Sequence, residues 1–438
     1  MLSAVGLLGG LALLVVLTMR GTNLLIAAPV CAVFVAALSG IPLVPSPAGG
    51  PAAGDFVAHY MGGFAGFLKS YFFVFLMGAI FGKVMEDSGA AASVAQWAVG
   101  RFGASAAVLA VVVACAILTY GGVSLFVVAF AVYPLAVNLF RAADLPRRFI
   151  PGALAFGSVT FTMTSAGSPE IQNWIPIEFL HTSPYAGWRV SAIVAVAMAA
   201  LGYWALRRMI AAAVAGGERF RPRADDPVVA TRALPGPLLA LLPLLTVLVV
   251  SFLLHDRFKQ SALLIALTAG VAMCSVLNRV YFVNFSGALT AGAVGALIAI
   301  GNTCAVVGFG SVAKATPAFH GAVSLMTGLP GSPLIGAAVA VSVIAGITGS
   351  ASGGLGIALP ILAPIYLALG VDPGALHRVA SIASGSLDSL PHNGYVVTTI
   401  RAVCGESHRD AYGAVGVTTV LVPTIGVILA IGLFSLGL

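Results

Sequence analysis

Asp388, His392 and Asn393 lie within ten residues, Gly385-Ser386-Leu387-Asp388-Ser389-Leu390-Pro391-His392-Asn393-Gly394, in a chain that is otherwise mostly hydrocarbon. A buried carboxylate and an imidazole can each exchange a proton near neutral pH. The Asn393 amide and the Ser386 and Ser389 hydroxyls can bind a carboxylate or an alcohol. Polar side chains and interrupted backbone are expensive in hydrocarbon and survive at membrane depth only where they line a protected or watery cavity. The stretch therefore reads as half of a substrate site.

The elements that must position it are membrane elements. Hydrophobic residues make up 60% of the 438 and charged residues 8%, with a mean hydropathy of +1.06, whereas soluble domains carry roughly 25% charge. The run 2–19 has no basic residues before it and no cleavage pattern after it, so it reads as a retained first span. Cys31, Cys115, Cys274, Cys304 and Cys404 are scattered through apolar segments without metal-ligand spacing and read as packing residues. No metal, cofactor or nucleic-acid partner is expected. The formal charge of +7 is explained by basic residues between spans.

Runs long enough to cross the bilayer fall at about 2–19, 23–39, 64–86, 150–180 and 186–207, then at 236–254, 260–277, 285–313, 375–401 and 411–437. A polar linker, 208–235, contains Gly216, Gly217, Pro222, Pro227 and Pro235 and separates two hydrophobic halves. Two further apolar segments, 104–140 and 331–369, are interrupted by Tyr120-Gly121-Gly122-Val123-Ser124 and by Thr348-Gly349-Ser350-Ala351-Ser352-Gly353-Gly354. Each arm has about 16 residues, short for a span, so each segment reads as a re-entrant helical hairpin. Two ordinary spans with a tight loop are the alternative.

The halves echo one another. Phe81-Gly82 and Phe309-Gly310 stand 228 positions apart, as do Asp144 and Asp372, and Gly157-Ser158 and Gly385-Ser386; Pro134 and Pro364 differ by 230. The same order of elements twice indicates an internal duplication, and five crossings per copy require the second to insert inverted. The expected fold is all-α: ten spans and two re-entrant hairpins in two inverted repeats, 1–207 and 236–438. Each repeat divides into scaffold helices (1–100 and 236–327) and a hairpin with a broken helix (104–180 and 331–401). With the linker cytoplasmic, 15 of the 21 basic residues fall inside, as the positive-inside rule asks. Both termini then lie outside. Arg378 is counted with the outer charges, and Asp144 and Asp372 are expected in turns or helix caps.

Symmetry makes four polar breaks: two hairpin tips, the stretch from Gly157 to Pro169, and the stretch around Asp388. Helix N-termini carry about half a positive charge and unpaired N–H groups, so four such ends ringed by hydroxyls suit an anion. The candidate substrate-binding residues are Ser124, Ser158, Thr160, Ser350, Ser352, Ser386, Asp388, His392 and Asn393, with Asp388 and His392 also carrying the coupling proton. Glu170 and Asn173 read as residues near a helix end, Lys83, Glu86 and Asp87 as a charged helix terminus, and Asn302 and Thr303 as helix contacts.

Lys83-Val84-Met85-Glu86-Asp87-Ser88-Gly89, the stretch from Thr160 to Pro176 with Ser168-Pro169-Glu170-Ile171-Gln172-Asn173, and the stretch from Gly385 to Gly394 resemble segments of the gluconate permease family of the ion transporter superfamily. The resemblance spans most of the chain. It implies a proton-coupled symporter for gluconate or related hydroxy acids, and the superfamily implies a dimeric scaffold past which a transport domain slides as an elevator. Typical gluconate permeases carry His-Val-Asn-Asp in the second broken helix. Here the pattern is Pro391-His392-Asn393-Gly394 with the acid earlier, at Asp388, which looks more like the branch for short hydroxy acids such as 3-hydroxybutyrate.

The chain is therefore expected to be a multi-pass inner-membrane transporter rather than an enzyme, a homodimer whose partners are a small carboxylate, protons and lipid. Sodium coupling is the near alternative. An intramembrane hydrolase built on Asp388, His392 and a serine, or a channel, would leave the four symmetric breaks unexplained.

Overall fold

A computed structural model gives the fold of residues 2–20, 22–44, 54–102, 106–224, 226, 232–259, 261–327 and 332–438. In the first half, α1 (Leu2–Met19) and α2 (Leu24–Ser39) precede the long α3 (Phe56–Asp87) and the short α4 (Ala90–Phe102). A hairpin follows, α5 (Ala107–Tyr120) and α6 (Leu125–Ala142). Next comes a helix in pieces: α7 (Ile150–Ala155) running into a π-helical turn (Phe156–Thr160), an irregular stretch, a 3-10 turn (Ile171–Asn173) and α8 (Ile175–Leu180). α9 (Trp188–Ala215) ends the half.

The second half has the same order. α10 (Pro237–Phe258), α11 (Ser261–Leu277), α12 (Phe285–Lys314) and α13 (Pro317–Thr327) lead to a hairpin, α14 (Pro333–Thr348) and α15 (Ala351–Ala368). A second broken helix pairs α16 (Pro373–Ser384) with α17 (Gly394–Val397) and a π-helical turn (Thr398–Val403). α18 (His408–Gly416) continues through another π-helical turn into α19 (Val422–Ser435). The lengths match as well: α3 has 32 residues and α12 has 30, and both second hairpin arms have 18.

Among the described residues, seven helices are long and apolar enough to cross a membrane: 56–87, 125–142, 188–215, 237–258, 285–314, 351–368 and 408–435. This departs from the ten expected in three ways. The segments at 150–180 and 375–401 are broken; those at 2–19, 23–39 and 260–277 form shorter apolar helices; and the second arm of each hairpin is long enough to count. Bulky apolar side chains such as Val196, Phe252 and Ile428 lie on the surface, as lipid contact requires.

Local chemistry sets the boundaries. Asp55 Oδ1 accepts from Ala58 N (2.8 Å) to start α3, eight positions before the expected 64. Asn284 Oδ1 accepts from Gly287 N (2.9 Å) to start α12, and Asp372 Oδ1 accepts from Ala375 N (2.7 Å) ahead of Pro373 to start α16. These are side-chain N-caps, each contributing about 1 kcal/mol. Asp144 is a turn residue at φ 50°. The short helices α4 and α13 fell outside the span count because neither is long enough to cross. Positions 104 and 331, where the hairpin segments were expected to begin, and Pro227 of the linker lie outside the described residues.

Glycines of α12 bring it close against α3. A methyl on Gly308 would stand 2.9 Å from Tyr60 O, and one on Gly292 would stand 2.7 Å from Ile80 Cα. The pairing of 60 with 308 and of 80 with 292 makes the crossing antiparallel. Small residues at such points let helices meet closely where lipid supplies no hydrophobic drive.

The expected linker starts later than 208, because α9 stays helical to Ala215. Beyond it the described residues of the linker are turn and coil held by charge. Arg147 donates to Asp226 Oδ1 (2.5 Å) and to Glu406 Oε1 (3.1 Å), Arg141 donates to Asp226 Oδ2 (2.6 Å), and Arg148 grips Glu218 through two nitrogens at 2.7 and 2.8 Å. Burial pushes the Asp226 carboxyl up. Hydrogen bonds from the Arg223 N–H, Arg147 and Arg141 outweigh it and hold the carboxyl below the usual aspartate range.

A depressed folded pKa means that this stability is fully present above the ordinary aspartate value near 4 and is lost as pH falls below it. The apparent melting temperature of detergent-solubilised protein should therefore drop as pH falls below about 4, and Asp226→Asn should remove part of that drop. At pH 7, Arg147→Ala takes one of two arginine partners from Asp226, which keeps Arg141, and from Glu406, which keeps Arg223, and should lower the melting temperature.

Candidate functional site

The second hairpin turns on Gly349, which ends α14 at φ +60°, a conformation glycine adopts freely. Ser350 follows as N-cap of α15, its Oγ accepting from Gly353 N at 3.1 Å with Ser352 Oγ 3.4 Å away. In the first hairpin, Gly122 at φ +90° makes the turn, and Ser124 stands at the N-cap of α6 without a side-chain cap bond. The leading N–H groups of α6 thus have neither an intrahelical nor a Ser124 partner.

The second break connects directly to this tip. Asn393 Nδ2 donates to Gly349 O (2.9 Å), while its Oδ1 accepts from Val396 N (2.9 Å) to start α17. The His392 ring packs on Gly349, where an added methyl would stand 2.9 Å from Cδ2. Asp388 is 6% exposed and accepts a bond from Ser389 Oγ at 3.0 Å.

The first break is held from the other half of the chain. Arg378, fully buried on α16, donates to Thr164 O (2.5 Å), Asn173 Oδ1 (2.9 Å) and Ala186 O (3.0 and 3.1 Å). Asn173 Nδ2 donates in turn to Ser168 O and Pro184 O, both at 3.0 Å, and Trp174 Nε1 donates to Ser168 O at 3.0 Å. These bonds satisfy main-chain carbonyls that the interrupted helix leaves open. Arg378 is accordingly an internal clamp and not an outer surface charge. Its side chain is engaged with the interior because α16 re-enters the protein at Pro373 and buries every residue from Ala375 to Ser384.

Both hairpin tips and both breaks meet at one cavity of about 300 Å³, closed on another side by α3 (Val74, Phe75, Gly78, Ala79) and α12 (Ala299, Asn302, Thr303, Val306). Of the residues expected from the sequence, Ser124, Ser350, Ser352, Asp388 and Asn393 line it. Four do not. Ser158 and Thr160 sit in the π-helical turn, where the helix still continues; Ser158 is fully buried and Thr160 Oγ1 donates to Thr418 O (2.8 Å). Ser386 Oγ lies 2.7 Å from Ser342 Oγ and from Ala383 O, on the side facing α14. His392 is turned against Gly349.

The sequence reading missed Glu170, Gln172, Asn302 and Thr303, all on the cavity wall. The Gln172 and Asn302 amide oxygens are buried without a partner in the protein. A signal existed for the last two: a polar pair in the middle of an apolar 30-residue helix. The cavity wall carries two carboxylates and, among the described residues, no Lys, Arg or His. Among the described residues no group of three or more His, Cys, Asp and Glu side chains is placed to hold a metal ion. Chemically the site can hold a small polar molecule between hydroxyls, amides and two helix N-termini, with acids available to take up protons. Lys83 pairs with Glu86 (2.7 Å), and Asp87 Oδ2 accepts from Val283 N and Asn284 N, so that terminus anchors the approach to α12.

No family model matches the chain. The uncharacterized transporter YxjC of Bacillus subtilis (strain 168) is 38% identical over 469 residues, covering 97% of each chain. Among solved structures, that of the Alcanivorax borkumensis YdaH transporter superposes over 97% of this chain and 98% of its own, with a TM-score of 0.61 at 17% identity, and so shares the fold. With that identity to YxjC over nearly the full length of both, and with a multi-pass helical architecture, this protein belongs to the YxjC family of membrane transporters.

Proposed function

We propose that the protein is an inner-membrane secondary transporter that takes up a small hydroxylated monocarboxylate together with protons. The observation that carries this reading is the meeting of two 18-residue helix N-termini, α6 and α15, with a buried acid, Asp388, around one 300 Å³ cavity. Helix N-termini favour an anion, and the neighbouring hydroxyls suit an alcohol. An anion beside a buried carboxylate is tolerable only when positive charge arrives with it, and a proton on Asp388 supplies that. The volume is at the lower end of the about 300–1,000 Å³ usual for small-molecule sites, which favours a short hydroxy acid such as 3-hydroxybutyrate over gluconate.

Asp388 is the coupling group in this reading. Ser124, Ser350, Ser352 and Asn393 contact or frame the substrate, and His392 braces Gly349. The repetition of element order supports two inverted repeats, with α1–α4 and α10–α13 as scaffold and the hairpins and broken helices as a transport domain that moves as an elevator, in a homodimer. A hydrolase is less well supported, since Ser389 Oγ bonds the acid itself.

Sodium is the competing coupling ion, because hydroxyls, amides and carboxylates can also ligate it. In liposomes containing purified protein, a proton gradient should drive uptake of labelled 3-hydroxybutyrate with no sodium present. Uptake that follows a sodium gradient and ignores the proton gradient would exclude proton coupling. Asp388→Asn should keep exchange of labelled for unlabelled substrate within about tenfold of wild type, yet lose accumulation against a gradient. Unchanged accumulation would remove Asp388 from the coupling role.

A further inference from the structure

With Asp388 assigned to the coupling proton, the cavity still contains a second acid. Glu170 stands at the end of the first break. Its N–H donates to Ser168 Oγ (3.3 Å) and its carbonyl accepts from Asn173 N (3.0 Å), which fixes the main chain while the side chain reaches the cavity wall. Among the described residues neither Glu170 nor Asp388 forms an ion pair with any Lys, Arg or His. Gln172, on the same wall and 8% exposed, leaves its Oε1 without a protein partner, so this stretch offers unmatched polar atoms to a ligand.

The contacts that the structure shows for the other titratable groups nearby are made elsewhere. Tyr395 lines the wall, Tyr412 OH donates to Ser389 O (3.3 Å), and Tyr120 OH donates to Ala166 O (2.7 Å). His392 lies on Gly349, His408 Nε2 is 3.1 Å from Pro391 O, and His377 Nδ1 is 2.6 Å from Thr182 Oγ1. Arg378 is permanently charged but engages Thr164 O, Pro184 O, Ala186 O and Asn173 Oδ1.

Charge balance then decides the stoichiometry. The N-termini of α6 and α15 carry about half a positive charge each, enough together to offset one substrate carboxylate. Two side-chain carboxylates remain, and each needs a positive charge of its own in a low-dielectric cavity. We infer that Glu170 is a second proton carrier, so that each singly charged substrate crosses with two protons and one net positive charge moves inward per cycle. This rests on the proton-symport reading. An O–H bond forms on each carboxylate with a proton from the outer solution and breaks as both protons leave on the inner side; no other bond changes.

The test uses full-length protein in sodium-free liposomes with labelled 3-hydroxybutyrate and gluconate as probes. At equal pH on both sides, an inside-negative potassium diffusion potential should make wild type accumulate probe about 50-fold per 100 mV. Glu170→Gln should lose this voltage-driven accumulation and keep accumulation driven by a pH gradient, while Glu170→Asp should restore the voltage response. Wild-type accumulation that responds to pH but not to voltage would overturn the inference without any variant, as would a Glu170→Gln protein with the wild-type voltage response. Wild type that accumulates neither probe under a pH gradient would instead defeat the symport reading, and the inference with it.

Discussion

A peptide group left without a partner in hydrocarbon costs several kcal/mol, and two helices that stop midway create a series of them. Much of the remaining architecture answers that constraint. Asn393 closes one break onto the tip of the second hairpin: its Nδ2 donates to Gly349 O and its Oδ1 accepts from Val396 N. Arg378 closes the other by donating to the carbonyl of Thr164 and to those of Pro184 and Ala186. The amide oxygens of Gln172 and Asn302, buried without a protein partner, and the N-terminus of α6 lie on one shared cavity.

The cavity is asymmetric in composition. One side is made by α3 and α12, largely apolar apart from Asn302 and Thr303, and the other by tips and breaks that carry the hydroxyls and both acids. α3 and α12 are themselves joined through glycines too close to a neighbour to accept even a methyl. The apolar wall is thus made by two closely packed helices, and the polar wall by the two hairpins and the two breaks.

Much of this was legible in the sequence because it rests on local signals. Gly121-Gly122 and Gly349-Ser350 announce tight turns between apolar arms, and Asp372-Pro373 announces a helix start. The polar stretches at 157–169 and 385–394 announce breaks, and five well-separated cysteines announced packing, which their complete burial bears out. What was hidden depends on which way a side chain faces. Ser158 and Thr160 were expected at the cavity because a run of small hydroxyl residues suggests an unwound helix, but the backbone keeps turning as a π-helix through Thr160 and directs them elsewhere. In α12, apolar on every side, periodicity gives no preferred face, so Asn302 and Thr303 could not be separated from ordinary contacts. Arg378 was misplaced because counting charges between spans presumes that each sits at a surface.

The two buried arginines have one mechanical consequence. Arg147 enters just ahead of the first broken helix and grips Glu406, beyond the end of the second; Arg378 belongs to the second and grips the residues that follow the end of the first, at Pro184 and Ala186. Each broken helix is thus buckled at one end to its counterpart, and the two buckles lie at opposite ends of the pair. Shear between the two broken helices would have to undo both clasps at once.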